Sequence, residues 1–187
     1  MAQSRQWSLP VLENSSDEHF VFHLFTDYLD NQYEELFQQI STSYSVTINF
    51  YKIDKEKAKF FPSIGQWPNS IFYRLIAIDH LQNELDSVLY LDADVICKGS
   101  LAIFNTFDFG TNGVAAVQDM YFTREDAARR FKEDEFNLHY FNSGVLFLNL
   151  SYWKEQLLTS KFLTYVEDKN NHPLLSCPDQ DILNLLF

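Results

Sequence analysis

Ser87-Val88-Leu89-Tyr90-Leu91 runs straight into Asp92-Ala93-Asp94. A short, largely apolar run ended at once by two carboxylates reads as a buried strand whose carboxyl end meets polar surroundings. In an open α/β sheet, ligands gather at such strand ends. Two carboxylates two residues apart are the oxygen donors a hard divalent cation takes, with positions left open for phosphate oxygens. A cation held there neutralises charge developing on a diphosphate leaving group. Ala93 keeps the turn small, so a sugar can approach. A D-x-D string alone is a weak signal, so its surroundings carry the argument.

Upstream, Phe20 to Thr26 is a second apolar run, closed by Asp27. Tyr33, Leu36, Phe37 and Ile40 fall at helical intervals, and Ser45 to Ile53 alternates Val46, Ile48 and Phe50 as a strand does. Asp54 to Gly65 reads as a charged connection. Pro68 can open a helix reaching about Leu81. Downstream, Ser100 can cap a short helix, and Val114 to Val117 is a third apolar run, stopped by Asp119. Thr123 to Asp126 has the form of a capping motif opening a charged helix to about Phe136. Tyr140 to Leu150 reads as a strand broken at Asn142-Ser143-Gly144. Ser151 begins an amphipathic helix carrying Tyr152, Trp153, Leu157 and Phe162, and Pro178 begins a last helix. Short apolar strands alternating with helices predict an α/β fold with a largely parallel sheet.

Composition narrows the partners. The 187 residues carry 14 Lys+Arg against 26 Asp+Glu, a formal net charge of -12. So acidic a chain repels phosphate backbones, which argues against a nucleic-acid partner. Cys97 and Cys177 lie far apart in no zinc or redox spacing; two free thiols is the simpler reading, with one disulfide as the alternative. No stretch reaches the ~18–20 apolar residues of a membrane span. The first residues show no signal-peptide core, so the expected compartment is the cytoplasm. His19, His23, His80, His139 and His172 form no ligand spacing.

Five strings in order give the chain a resemblance. Ile71-Phe-Tyr-Arg-Leu75, Tyr90-Leu-Asp-Ala-Asp-Val-Ile-Cys-Lys-Gly99, Val114-Ala-Ala-Val-Gln-Asp119, Tyr140-Phe-Asn-Ser-Gly-Val145 and Cys177-Pro-Asp-Gln-Asp-Ile-Leu-Asn184 resemble the signatures of family 8 glycosyltransferases. The nearest flavour is that of the bacterial lipopolysaccharide glucosyl- and galactosyltransferases. The resemblance implies the GT-A fold, Rossmann-like with a mostly parallel central sheet. It implies a retaining transfer of glucose or galactose from a UDP-sugar to a lipopolysaccharide core or related glycan, with Mn2+ or Mg2+ bound. Asp92 and Asp94 are then the metal ligands, and Asp92 and Ala93 approach the donor ribose. Arg74 meets donor sugar or phosphates, as a planar guanidinium suits oxyanions. Asp119 accepts from donor-sugar or acceptor hydroxyls, Asn142 meets sugar hydroxyls, and Gly144 lets backbone come close. Asp179 binds sugar hydroxyls, and Gln180 lies near the anomeric carbon. Asp119, Asp179 and Gln180 are thus the expected catalytic residues. Because an amide is a poor nucleophile, internal return on the leaving-group face is the more plausible route to retention.

The sequence also departs from that pattern. Ser8-Leu-Pro-Val-Leu-Glu-Asn-Ser15 matches only the end of the family's first helix, and Met1 to Trp7 stands where a nucleotide-binding strand is expected. The family's later H-x-x-G-x-x-K-P-W segment, whose His completes the metal site, and its basic aromatic tail, which anchors relatives at the inner membrane, are not found. The expectation is a single incomplete domain over residues 1–187 with reduced or no activity. The alternatives are a non-catalytic interaction domain of the same fold and, less favoured, a phosphohydrolase using the Asp-x-Asp pair.

Overall fold

A computed structural model describes residues 11–14 and 19–187. The reading of Met1 to Trp7 lies outside these residues. Of Ser8 to Ser15 only 11–14 are described, as a helical turn. The chain divides into two compact units, one of Met1–Phe60 with Ala93–Phe107 and one of Phe61–Asp92 with Asp108–Phe187.

Unit one is a βαβ element. Strands β1 (Val21–Thr26) and β2 (Thr47–Lys52) pair in parallel, Val21 opposite Thr47 through Thr26 opposite Lys52. Helix α1 (Asn31–Tyr44) crosses between them. Asp30 opens it by accepting from the Tyr33 amide at 3.0 Å, which satisfies one of the first turn's unpaired donors. Phe37 and Ile40 of α1 pack with Leu12 and Val46 against Phe22, Leu24, Ile48 and Phe50. The alternation read from Ser45 to Ile53 is therefore a true strand period. The charged connection after β2 contains a short helix, α2 (Lys55–Ala58). Ser100 accepts from the Ala102 amide at 3.2 Å where a 3-10 turn begins.

Unit two holds the remaining strands, β3 (Ser87–Leu91), β4 (Val114–Gln118) and β5 (Phe141–Asn149), in the order β3-β5-β4. The 3-10 turn Asn69–Phe72 leads into α3 (Tyr73–Leu81). Helices α4 (Tyr121–Phe131) and α5 (Phe136–His139) separate β4 from β5. After β5 come α6 (Leu150–Glu155), α7 (Leu158–Glu167) and α8 (Pro178–Leu186). Trp153, Tyr140, Phe72, Phe162, Leu146, Leu148 and Ile182 are among its fully buried side chains.

Alternating strands and helices predict a largely parallel sheet, and β5 is its antiparallel member. It runs antiparallel to both β3 and β4, which therefore point the same way. The Asp119 amide donates to the Tyr140 carbonyl at 3.1 Å. The α4–α5 connection thus leaves and returns at one end of the sheet, and a chain that returns to its starting end must reverse.

Three local expectations change. Asn142-Ser143-Gly144 does not break β5. It lies within the strand, at a register shift between Ala116 opposite Leu146 and Gln118 opposite Phe141. The Thr123–Asp126 capping motif does not open α4, which starts at Tyr121. Its charged run ends at Phe131, where Lys132 takes a left-handed conformation (φ 56°). The helix expected from Ser151 is two helices, α6 and α7. They divide at Leu157, which is left-handed (φ 54°) and exposed, and Asn149 caps the first by accepting from the Tyr152 amide at 3.0 Å.

Candidate active site

The site in unit two is organised by Arg74, in the first turn of α3. Its side chain is only 9% exposed. Nη1 donates to the Ser143 carbonyl at 2.9 Å and pairs with Asp179 Oδ2 at 3.0 Å, while Nη2 donates to Asp92 Oδ1 at 3.0 Å. The guanidinium carbon stands 4.5 Å from the centre of the Tyr90 ring. Its Nε is buried with no hydrogen-bond partner among the described residues. Only a planar, forked cation can address a carbonyl and two carboxylates together while stacking on an aromatic face.

Tyr90 precedes Asp92 by two residues, so the strand period puts both side chains on one face. The Tyr90 hydroxyl donates to Asp92 Oδ1 at 2.6 Å. Burial pushes that phenol well above its ordinary value despite the pull of Arg74, so it remains a donor. Burial likewise pushes the Asp179 carboxyl up, opposed by Arg74 and by the backbone amides of Asp179 and Gln180 at the start of α8.

Gln180 links the other half. Its Nε2 donates to Asp119 Oδ2 at 2.7 Å, and its Oε1 accepts from the Ser143 amide at 2.9 Å. One helical turn on, Asn184 accepts from the Phe141 amide at 2.7 Å and donates to the Phe141 carbonyl at 2.9 Å. At the register shift β5 loses its regular partner on one side, and two carboxamides from α8 supply the missing donors and acceptors. A hydrogen-bonded line thus runs from Asp119 through Gln180 and Ser143 to Arg74, Asp92 and Asp179.

Of the residues expected at the site, Arg74, Asp92, Asp119, Asp179 and Gln180 are brought together here. Gly144 also belongs. Its amide donates to Asn142 Oδ1 at 2.9 Å, its carbonyl accepts from the Asp92 amide at 2.8 Å, and a Cβ there would stand 3.1 Å from Asp92 Oδ2. Asn142 is exposed and closes this local turn. Ala93 and Asp94 are exposed and belong to unit one. Among the described residues no group of three His, Cys, Asp or Glu side chains is arranged to hold a metal. Cys97 and Cys177 are free thiols, as expected.

Several members were not singled out from sequence. Tyr90 was open to detection by its two-residue offset from Asp92, and Asn184 by its four-residue offset from Gln180. Ser143 acts through its backbone, which no side-chain pattern reveals. Asp181, Arg130 and Tyr140 form a buried cluster directly behind Gln180, joined across separations no local period encodes.

Residues 10–187 match the family described as Glycosyl transferase family 8. The chain belongs to that family. It is 44% identical over 177 residues to a lipopolysaccharide 1,2-glucosyltransferase of Escherichia coli, covering 95% of this chain and 52% of that protein. It is 30% identical over 181 residues to a lipopolysaccharide 1,3-galactosyltransferase of Salmonella typhimurium, covering 95% and 53%. The chain spans about half the length of the curated relatives it matches. Among solved structures, the galactosyltransferase LgtC in complex with donor and acceptor sugar analogues superposes with a TM-score of 0.84 at 26% identity, over all of this chain and 66% of that one. The expected GT-A α/β fold is borne out by that likeness, with β5 as its antiparallel member.

Proposed function

We propose that this chain carries the donor-handling part of a retaining hexosyltransferase. It takes glucose or galactose from a UDP-sugar to a lipopolysaccharide core or related glycan, with a divalent cation. The observation that carries the reading is the Arg74 cluster, where Asp92, Asp179 and the Ser143 carbonyl converge on one guanidinium at a strand end and Gln180 ties in Asp119. Polar groups converging at the carboxyl end of a strand form the default ligand site of an α/β sheet. The relatives named as lipopolysaccharide glucosyl- and galactosyltransferases support the class of sugar and of acceptor.

Charge supports the cation. Around this line Arg74 stands against three carboxylates, Asp92, Asp119 and Asp179, and such a surplus repels a diphosphate. Asp92 Oδ1 is taken by Arg74 and Tyr90, while nothing described donates to Oδ2 or to the Asp94 carboxylate. These are the hard oxygen donors Mn2+ or Mg2+ takes. A bound cation supplies the charge that neutralises the diphosphate.

The protein's own groups hold and aim. Arg74 keeps the Asp92 and Asp179 carboxylates apart and fixed. Asp119 and Asp179 accept from sugar hydroxyls, and Asn142, exposed at the rim, meets them from outside. Gln180 is buried with both ends of its amide committed, so it spaces Asp119 from β5 and is no nucleophile. Transfer by internal return on the leaving-group face fits that arrangement. The proposed setting is the cytoplasm or the cytoplasmic face of the inner membrane. No helix of the described residues is long and apolar enough to cross a membrane.

The reading is tested by assaying UDP-glucose and UDP-galactose hydrolysis with and without Mn2+, alongside a thermal melt. Metal-dependent release of UDP supports it. A cooperative melt with no shift on adding UDP-sugar and Mn2+ points to an interaction domain of the same fold instead.

A further inference from the structure

We propose that Arg130 and Asp181 form a buried positioning device that aims Asp179 and Gln180. The inference rests on the transferase reading of those two residues, and it concerns groups behind them that the reading leaves without a task.

Asp181 is fully excluded from solvent, yet five donors reach its carboxylate. Arg130 Nη2 and Nη1 lie at 2.9 and 3.2 Å, the Tyr140 hydroxyl at 2.6 Å, and the amides of Ser176 and Cys177 at 2.7 and 3.0 Å. Two carboxylate oxygens have room for about four acceptor directions, so this group is saturated. Arg130 is braced in turn by Asp126 at 2.7 Å and donates to the Leu174 carbonyl. Burial opposes the charge on Arg130, but Asp181 and Asp126 together hold it above its ordinary value. Burial and the Asp181 charge push the Tyr140 phenol up as well, so it too stays a donor.

Burying such a pair contributes little net stability compared with apolar side chains of the same size. What it supplies is direction. Residues 180 and 181 of α8 point about 100° apart around the helix axis. Gln180 is fixed to Asp119 and Ser143, while Asp181 is fixed to α4, to Tyr140 just before β5 and to the loop before α8. Two anchors on different walls leave α8 no freedom to turn about its own axis. The turn that carries Asp179 toward Arg74 is set by that restraint. Arg130 and Asp181 contact none of the groups assigned to substrate, so they are positioning residues.

The test compares Arg130→Met and Arg130→Lys in the full chain. It reads amide hydrogen exchange and the 15N-resolved side-chain amide of Gln180. Where Arg130→Met is folded, the Ser143 amide is expected to exchange about 10-fold faster relative to Leu148 in the same strand, and the Gln180 signal to move. Arg130→Lys should recover part of both changes. If Arg130→Met does not fold, Tyr140→Phe removes one of the five donors with the ring retained and carries the same comparison with a smaller change. An unchanged Gln180 signal, or equal acceleration at Ser143 and Leu148, overturns the proposal, because a merely structural role moves the whole strand together. In a donor-hydrolysis assay, kcat should fall about 10-fold with KM nearly constant. A wild-type chain without turnover counts against the transferase reading alone, and the exchange comparison still decides the role of Arg130.

Discussion

The first turns of α8 and the Asp92-Ala93-Asp94 turn both carry acidic side chains assigned to one reaction, but they are held very differently. In α8, Asp179, Gln180, Asp181 and Asn184 are all buried, and each is tied to a charge or backbone group elsewhere in unit two. In the turn, Asp92 is anchored through one oxygen, and Ala93 and Asp94 are exposed with no partner described for the Asp94 carboxylate. Prominence in sequence and commitment in structure are therefore separate properties. In the proposed reading the turn keeps carboxylate lone pairs open for a cation, while the α8 groups spend most of theirs on the protein.

Substitutions should separate the two regions. Asp181→Ala strands a buried Arg130 and is expected to cost about 3–5 kcal/mol of stability, read by urea unfolding. A loss below about 1 kcal/mol would show that α8 is not anchored as described. Arg74→Met leaves Asp92 and Asp179 without their shared cation. It should cost about 3 kcal/mol and abolish donor binding, which calorimetry checks. Gly144→Ala places a methyl 3.1 Å from Asp92 Oδ2 and from Asn142 Oδ1. A shift of Asp92 and a loss of about 1 kcal/mol are expected, measured by melting and by the metal dependence of UDP binding.

Proton linkage sharpens the contrast. The folded Asp179 carboxyl lies above its ordinary 3.8 because of burial. The folded state therefore takes up this proton more readily than the unfolded state. That contribution to stability is fully present below 3.8 and is lost as pH rises through the folded value. Asp126 is shifted the other way by Arg130 and Arg129, so its contribution is present above 3.8 and is lost as pH falls through its lower folded value. Between pH 7 and pH 4, wild type should gain melting temperature relative to Asp179→Asn. Parallel melting curves across that range would contradict the burial of Asp179. The smallest stability effect belongs to Asp94→Asn, expected within about 0.5 kcal/mol of wild type while removing metal-dependent donor binding. An Asp94→Asn chain that binds donor normally would remove that residue from the site.

How much was readable in advance follows from the range of the interactions. Period-2 alternation and helical spacing are local, so Thr47–Lys52, Asn31–Tyr44 and Pro178–Leu186 could be placed from sequence. The reversal of β5 depends on where the α4–α5 connection returns, which no single segment encodes. Leu157, between α6 and α7, takes a left-handed conformation that leucine rarely adopts, so nothing in its identity signalled the break. Within the site, Arg74, Asp92, Asp119, Asp179 and Gln180 sit in strings that could be recognised, whereas Ser143 contributes backbone. Arg130 reaches Asp181 over a separation of 51 residues.

The most direct measurement is an isothermal titration of UDP-glucose into the 187-residue wild-type chain, with and without Mn2+, repeated with Asp92→Asn. The account predicts binding that requires Mn2+ and is lost in a folded Asp92→Asn variant. Binding equally strong without the metal, or undiminished by Asp92→Asn, would contradict it.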